Sequence, residues 1–184
     1  MRRFVQIADG IEPLPLRLDL ARNEHLWDAR PDRRIYAGSP HAAMVDITAR
    51  YMPEAELDAD PETRRREHRN VFWPAWHALP SLRPVVFGLM ARVQAVELGS
   101  IIVTRLPPGK SIQPHSDAGS WSAEYYNTKA HWTVQGAAVV TCADEACAFT
   151  RGTVWTFDNL LVHSVTNQGD EDRIVAIISM RVEA

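Results

Sequence analysis

The chain has 184 residues, of which 46% are hydrophobic and 23% charged, and its formal net charge at pH 7 is -3. This length and composition predict one hydrophobic core and exclude global disorder, and the slightly negative charge excludes a charge-driven nucleic-acid binder. No apolar run reaches the ~18 residues of a membrane span, and no apolar segment follows the N-terminal arginines as in a secretory signal. We therefore expect a cytoplasmic protein with no membrane and no nucleic-acid partner.

The first half of the chain, up to about residue 97, has a mixed pattern. Phe4–Ala8 and Val45–Tyr51 predict short strands, and Leu18–Trp27 shows weak helical periodicity. The clearest helix is predicted over Ser81–Glu97, where apolar residues recur at spacings of three and four. Gly99 follows the expected end of this helix, as is common at helix C-termini.

The second half, from Ser100 onward, predicts strands separated by turns. The predicted strands are Ile101–Leu106, Thr133–Thr141, Thr153–Phe157, Val162–Thr166 and Arg173–Val182. Several short strands at regular spacing are typical of an antiparallel sandwich or barrel. We therefore expect a mainly β, α+β fold in which the earlier helices pack on an outer sheet face. Residues 1–184 are predicted to form one domain, with residues 1–97 supporting a β core at residues 98–184.

Candidate metal ligands lie in the strand-rich half. His115 and Asp117 are two residues apart in an extended segment, so their side chains point to the same side. A third ligand must come from another strand, and His163 is the candidate. Two imidazoles and one carboxylate on one face of an octahedron leave three positions open, which suits Fe(II) with oxygen and a bidentate co-substrate. We predict that these three residues hold one ferrous iron and form the catalytic centre.

Arg173 indicates which co-substrate would bind this iron. It lies ten residues after His163, at the start of the last predicted strand. 2-Oxoglutarate chelates iron through its keto-acid end and leaves its far carboxylate about one strand away, where an arginine can make a bidentate contact. The alternative is an exposed strand arginine paired with Asp170 or Asp172.

Two motifs carry a resemblance to a known family. They are Leu106-Pro107-Pro108-Gly109 with Pro114-His115-Ser116-Asp117, and Gly152-Thr153-Val154-Trp155-Thr156-Phe157-Asp158-Asn159 with His163, Asn167 and Arg173. Together they resemble the aspartyl/asparaginyl β-hydroxylase family of Fe(II)/2-oxoglutarate dioxygenases, which includes members similar to proline hydroxylases. The resemblance covers roughly residues 98–182. It implies a double-stranded β-helix, or cupin-like jelly roll, with the iron near one open end.

The resemblance also implies roles for individual residues. The two histidines of the predicted triad match the iron ligands, and Arg173 matches the contact to the far carboxylate. Thr104 matches a hydroxyl that supports the same carboxylate, and Lys129 with His131 matches a basic-x-His pair that holds the keto-acid carboxylate. Relatives that resemble the mammalian enzyme have arginine where this chain has Lys129, and glycine where it has Asp117. The complete triad therefore places this chain nearer the bacterial small-molecule branch.

Candidate substrate contacts come from two regions. The polar and aromatic segment Ser120–Asn127 follows the predicted iron ligands and would suit a substrate lid. Residues of the first half would also reach the mouth of the barrel, with purely structural roles as the alternative. The candidate contacts are Trp121, Tyr125, Tyr126, His41 and Arg50.

These features together predict a hydroxylase. It would act on an unactivated C–H bond of an amino acid or of an aspartyl, asparaginyl or prolyl residue, and release succinate and CO2. The predicted partner is therefore a small-molecule or peptide substrate. Two alternatives stay open: a cupin-like metal enzyme that does not use 2-oxoglutarate, and a non-catalytic metal-binding module.

Overall fold

The computed structural model describes residues 3–57, 68–118 and 124–183, and over this part the chain forms eleven strands and four α-helices. The helices are α1 (Leu14–Arg22), α2 (Asp32–Ile35), α3 (Pro74–Ala78) and α4 (Leu82–Val93). The strands are β1 (Phe4–Ala8), β2 (Val45–Tyr51), β3 (Val71–Phe72), β4 (Ala95–Leu106), β5 (Ser111–His115), β6 (Thr128–Gln135), β7 (Ala137–Cys142), β8 (Glu145–Thr150), β9 (Val154–Phe157), β10 (His163–Thr166) and β11 (Arg173–Val182).

The order of the strands in two antiparallel sheets defines the fold. The larger sheet has the order β1-β9-β6-β11-β4-β2-β3, and the smaller sheet has the order β5-β10-β7-β8. From β4 to β11 the chain passes back and forth between the sheets, apart from the hairpin β7–β8. The layers β9-β6-β11-β4 and β5-β10-β7-β8 therefore form an eight-stranded jelly roll. This confirms the predicted double-stranded β-helix.

The first half of the chain extends and covers the larger sheet. At one edge, β1 pairs with β9. At the other edge, β2 pairs with β4, and β3 pairs with β2. Helices α1, α3 and α4 pack on the outer face of this sheet, as predicted. The core between them includes Leu16, Leu20, Trp76, Leu82, Val86, Leu89, Trp132 and Ile178. None of the described helices is long and apolar enough to cross a membrane.

A second core lies between the two sheets. It includes Phe4, Leu106, Val140, Phe149 and Phe157, which come from strands of both layers. Alternate residues of β4, β6 and β11 point into this space, while the others point to the helices. The side chains on these inward positions form the floor of the site described below.

Two helix predictions were wrong in their limits. The helix predicted over Ser81–Glu97 ends at Val93, because Gln94 adopts a left-handed conformation with φ 55° and β4 begins at the next residue. The start of β4 pairs with the end of β11, and this pairing outweighs the helical spacing of the apolar residues. The weak helix predicted over Leu18–Trp27 begins earlier and forms α1, Leu14–Arg22.

The predicted strand Thr133–Thr141 is in fact two strands in different sheets. It is divided at Gly136, where the chain leaves β6 in the larger sheet and enters β7 in the smaller sheet. Gly136 has a φ of +67°, and a Cβ atom there would lie 3.0 Å from the carbonyl oxygen of Asp172 and 3.2 Å from the Cα atom of Arg173. Glycine is therefore required both by the backbone conformation and by the close approach of β11.

Replacing Gly136 by alanine is expected to lower the free energy of unfolding by about 1–3 kcal/mol, because the left-handed backbone and the contact with Asp172 both oppose a side chain. Urea denaturation measures this change. Gly88→Ala is the matched control, since Gly88 is exposed in α4 and a Cβ atom there would meet no other atom within 4 Å. There alanine should raise stability by up to about 1 kcal/mol. Equal effects of the two variants would contradict the account of Gly136.

Candidate metal centre

The three predicted ligands meet at the edge of the smaller sheet. Strands β5 and β10 pair antiparallel so that His115 lies opposite His163, and Asp117 follows β5 by two residues. One ligand atom from each residue lies within 4.8 Å of the others. The imidazole ring centroids are 4.3 Å apart, and the Nε2 atom of His115 is 3.8 Å from the Oδ1 atom of Asp117. The structure thus brings the sequence-predicted triad together.

Both histidines are held in the tautomer that a metal requires. The Nδ1 atom of His115 is 2.7 Å from the carbonyl oxygen of Gln113, and that of His163 is 2.9 Å from the carbonyl oxygen of Leu161. A carbonyl only accepts, so each Nδ1–H donates and each Nε2 atom keeps a free lone pair. Burial also lowers the pKa of His163, which favours its neutral form.

Asp117 is fixed through one of its two oxygens. Its Oδ2 atom accepts hydrogen bonds from the Nδ2 atom of Asn159, at 2.9 Å, and from the ammonium of Lys129. Its backbone N–H donates to the carbonyl oxygen of Asn159 at 3.0 Å. Burial alone would raise the pKa of Asp117, but the Lys129 charge and the two hydrogen bonds outweigh it and hold that pKa below its usual range. The carboxylate is therefore ionised, with Oδ1 facing His115.

The ligands line a cavity of about 200 Å³ between the two sheets. Its apolar walls include Met44, Ile102, Ile112, Val140, Phe157, Val165 and Ile177. Its polar lining includes Arg33, His41, Tyr51, Ser100, Lys129, His131, Arg173 and Ser179. Two neutral imidazole nitrogens and one carboxylate oxygen on one wall of such a cavity fit a divalent transition metal and leave coordination positions open towards the cavity.

Arg173 lies in the same cavity as a buried cation. The residue is 2% exposed, and its Nε atom has no hydrogen-bond partner among the described residues. It is neither exposed nor paired with Asp170 or Asp172, and no carboxylate of the described residues forms an ion pair with it. Burial lowers the pKa of Arg173 to about 10, still well above neutral pH. A buried charge without a partner is costly, so this position is suited to an anionic ligand.

The other three residues implied as co-substrate contacts take different positions. His131 lines the cavity and stacks on Phe157 with ring centroids 4.8 Å apart, and burial followed by the nearby Arg173 charge lowers its pKa to about 3. Its buried Nδ1 atom has no hydrogen-bond partner in the part of the chain that the structure describes. Thr104 is buried on the inner face of β4, beyond the residues that line the cavity. Lys129 lines the cavity, but its ammonium is bound to Asp117.

Of the candidate substrate contacts, His41 reaches the metal centre. Its ring lies against His115 at a centroid distance of 4.8 Å, and its Nε2 atom is 3.5 Å from the Nη2 atom of Arg33. Burial and the Arg33 charge lower the pKa of His41 to about 3, so it is neutral. Arg33 also donates to the Oδ2 atom of Asp46 at 3.1 Å. Arg33 and His41, which belong to the first half of the chain, therefore form one side of the cavity lining.

The remaining candidates lie elsewhere. Arg50 donates to the carbonyl oxygens of Leu98 and Gly99, outside the metal cavity. Tyr125 and Tyr126 donate to the carboxylate of Glu97, and Tyr126 is fully buried. Neither tyrosine lines the cavity. Trp121 and half of the proposed lid, residues 120–123, lie outside the described residues.

Several residues of the site were not predicted. Asp158-Asn159 has the composition of a turn, yet Asn159 is 5% exposed and bound to Asp117. Ser100 and Ser179 line the cavity and share a hydrogen bond of 3.0 Å. Ser100 directly precedes the apolar run Ile101-Ile102-Val103, and Ser179 lies between Ile178 and Met180, so a polar residue beside an apolar run was the available signal.

A jelly roll with two histidines and a carboxylate in its cavity is the architecture of cupin-type metal proteins. Within that class, the chain belongs to the aspartyl/asparaginyl beta-hydroxylase family, whose sequence profile matches residues 75–182. No curated protein matches the sequence at a significant level.

Solved structures similar to this chain include several cupins. A predicted oxalate decarboxylase from Thermotoga maritima is 23% identical, with 45% of this chain and 67% of that chain covered and a TM-score of 0.36. A cupin 2 conserved barrel domain protein from Salinispora arenicola is 19% identical, with coverages of 43% and 60% and a TM-score of 0.35. The Cnp3 cupin domain of Schizosaccharomyces pombe is 16% identical, with coverages of 45% and 56% and a TM-score of 0.38. These similarities are low, and the fold assignment rests on the strand order.

Proposed function

We propose that this protein is an Fe(II)/2-oxoglutarate-dependent hydroxylase of an amino acid or of an aspartyl, asparaginyl or prolyl residue. The observation that carries this proposal is the pairing, in one cavity, of a two-histidine, one-carboxylate site with the buried and unpaired cation of Arg173. When bound, Fe(II), 2-oxoglutarate and O2 supply the oxidation of an unactivated C–H bond, with release of succinate and CO2.

The triad and Arg173 line the same cavity. Lys129, which contacts Asp117, pairs with Ser179 across β6 and β11. Arg173 lies six residues before Ser179 on β11, and both residues line the cavity. A dicarboxylate bound at the metal would therefore extend towards the guanidinium, which can grip its far carboxylate with two parallel N–H donors.

The cavity lining would support both binding and reaction. His131 is neutral and has an unpartnered Nδ1 atom, so its ring can donate or accept one hydrogen bond to the co-substrate. Apolar walls such as Ile102, Phe157 and Val165 exclude water, which strengthens the attraction between Arg173 and a carboxylate.

The substrate would enter from the side covered by the first half of the chain. Arg33, Tyr51 and Ile102 line both the metal cavity and a neighbouring cavity of about 300 Å³, so the two spaces adjoin. The larger space offers room for a group beyond the reacting one, and Arg33 and His41 lie at the junction with the metal centre.

Succinate formation tests the proposed reaction. The protein should release succinate with Fe(II), O2 and 2-oxoglutarate when the right substrate is present in a screen of free amino acids and short peptides containing Asp, Asn or Pro. Metal-dependent activity without succinate, unaffected by Arg173→Met, would instead favour a cupin-like enzyme of another kind. Metal chelation that changes stability, with no turnover in any reaction, would favour a non-catalytic module.

A further inference from the structure

Two donors of different charge share one oxygen of the metal-ligating carboxylate. The Oδ2 atom of Asp117 accepts from the ammonium of Lys129 and from the neutral amide of Asn159. Oδ1, the oxygen that faces His115, is left for a metal. The resemblance to the family places Lys129 on the keto-acid carboxylate, so its contact with Asp117 calls for a different role.

Lys129 is the counter-ion of Asp117. Its side chain is 14% exposed, against 23% for Asp117, so both charges are largely removed from water. Among the described residues, Asp117 is the one acidic partner within ion-pair distance of Lys129. In the metal-free protein this contact supplies the charge that a buried carboxylate needs.

Asn159 contacts the same carboxylate without bringing a charge. Asn159 is almost completely buried. Its backbone carbonyl oxygen also accepts a hydrogen bond from the backbone N–H of Asp117 at 3.0 Å. The side-chain amide and the carbonyl together fix both the backbone and the carboxylate of Asp117. A partner of this kind orients a metal ligand and raises the affinity of the site.

We propose that Lys129 is a resident counter-ion that stabilises the metal-free site and weakens metal binding, whereas Asn159 positions Asp117 and strengthens metal binding. The physical reason is that a bound metal and the Lys129 ammonium share one carboxylate in a poorly solvated place and repel each other. Removing the ammonium leaves a buried anion with no counter-charge, which a divalent metal can then neutralise. Asn159 carries no charge, so its removal only loosens Asp117. This inference rests on the metal centre of the proposed function.

Titration of the full-length, metal-free protein with Co(II), followed by visible absorption, tests the proposal. Lys129→Met is expected to bind Co(II) about tenfold more tightly than wild type. Asn159→Ala is expected to bind Co(II) about 10–100-fold more weakly. A purely structural role for both residues would move the two affinities in the same direction, so the opposite signs are the distinguishing result.

Matched variants separate the charge from other effects. Lys129→Arg keeps the cation and should bind Co(II) with nearly wild-type affinity. Lys110→Met removes the only other lysine of the chain, which is exposed in a turn, and should have no effect. Lys129→Gln provides a polar replacement should the methionine variant fold poorly, and it should also bind Co(II) more tightly.

Three outcomes are decisive against the inference. Weaker Co(II) binding by both Lys129→Met and Lys129→Gln would make Lys129 a positioning residue like Asn159. Unchanged Co(II) affinity, with a loss only in 2-oxoglutarate affinity, would assign Lys129 to the co-substrate. No Co(II) binding by wild type would overturn the metal centre itself. That result differs from weaker Co(II) binding by the Lys129 variants, which would overturn only the role of Lys129.

Discussion

Replacement of Arg173 by methionine is expected to raise the Kd for 2-oxoglutarate by about 100-fold, since removing one partner of a buried charge pair costs about 2–5 kcal/mol. The guanidinium is buried, lines the metal cavity and forms no ion pair with a described residue, so we expect its main contribution when an anion binds. Co(II) affinity should stay within about twofold of wild type, because the three ligands are unchanged. Anaerobic titration of the Fe(II)-loaded protein with 2-oxoglutarate measures the Kd for 2-oxoglutarate.

The same variant should not lose stability in the metal-free state. An uncompensated buried cation opposes folding, and methionine fills much of the same volume with an apolar side chain. The free energy of unfolding is therefore expected to stay equal or to rise. Arg151→Met is the control, since Arg151 is exposed in a turn. This variant should change neither the Kd for 2-oxoglutarate nor the free energy of unfolding. A large loss of stability with unchanged 2-oxoglutarate affinity would show that Arg173 serves the fold and not a ligand.

Replacement of His163 by alanine is expected to weaken Co(II) binding by more than about 100-fold, beyond the range typical of changes to residues that only support a ligand. His163 supplies one of the three donors, with its Nε2 lone pair left free by the bond from Nδ1 to Leu161. Equilibrium dialysis with Co(II) measures the change, and circular dichroism checks that the variant is folded.

An exposed histidine provides the control for this variant. His25→Ala should keep the wild-type affinity, since His25 lies in a short turn away from the cavity. Similar Co(II) affinities for wild type and His163→Ala would mean that the metal binds elsewhere, and the proposed centre would have to be abandoned.

The pairing of His115 with Asp117 was predictable because it depends on local geometry. Side chains two residues apart on an extended strand share a face, so His115 and Asp117 had to point together. His163 lies on the predicted strand Val162–Thr166 and belongs to the second motif. The strands Phe4–Ala8, Val45–Tyr51 and Arg173–Val182 were also predicted with correct ends. Turn-prone residues border their apolar patterns, after the first two strands and before the third.

The errors arose where contacts distant in sequence decide the structure. Helix α4 ends at Val93 because the next residues pair with β11, which no local pattern indicates. The division at Gly136 depends on the approach of Asp172 and Arg173. In the same way, the contact of Lys129 with Asp117 joins β6 of the larger sheet to the segment that follows β5 of the smaller sheet, and only the folded chain shows that Asp117 is a partner of Lys129.

We propose that one cavity binds Fe(II) and 2-oxoglutarate together. The most direct measurement is the anaerobic visible spectrum of the wild-type protein on addition of Fe(II) and then 2-oxoglutarate. We expect a weak charge-transfer band that requires both additions and is missing in His163→Ala. A wild-type spectrum without this band, or an equal band in His163→Ala, would contradict the account.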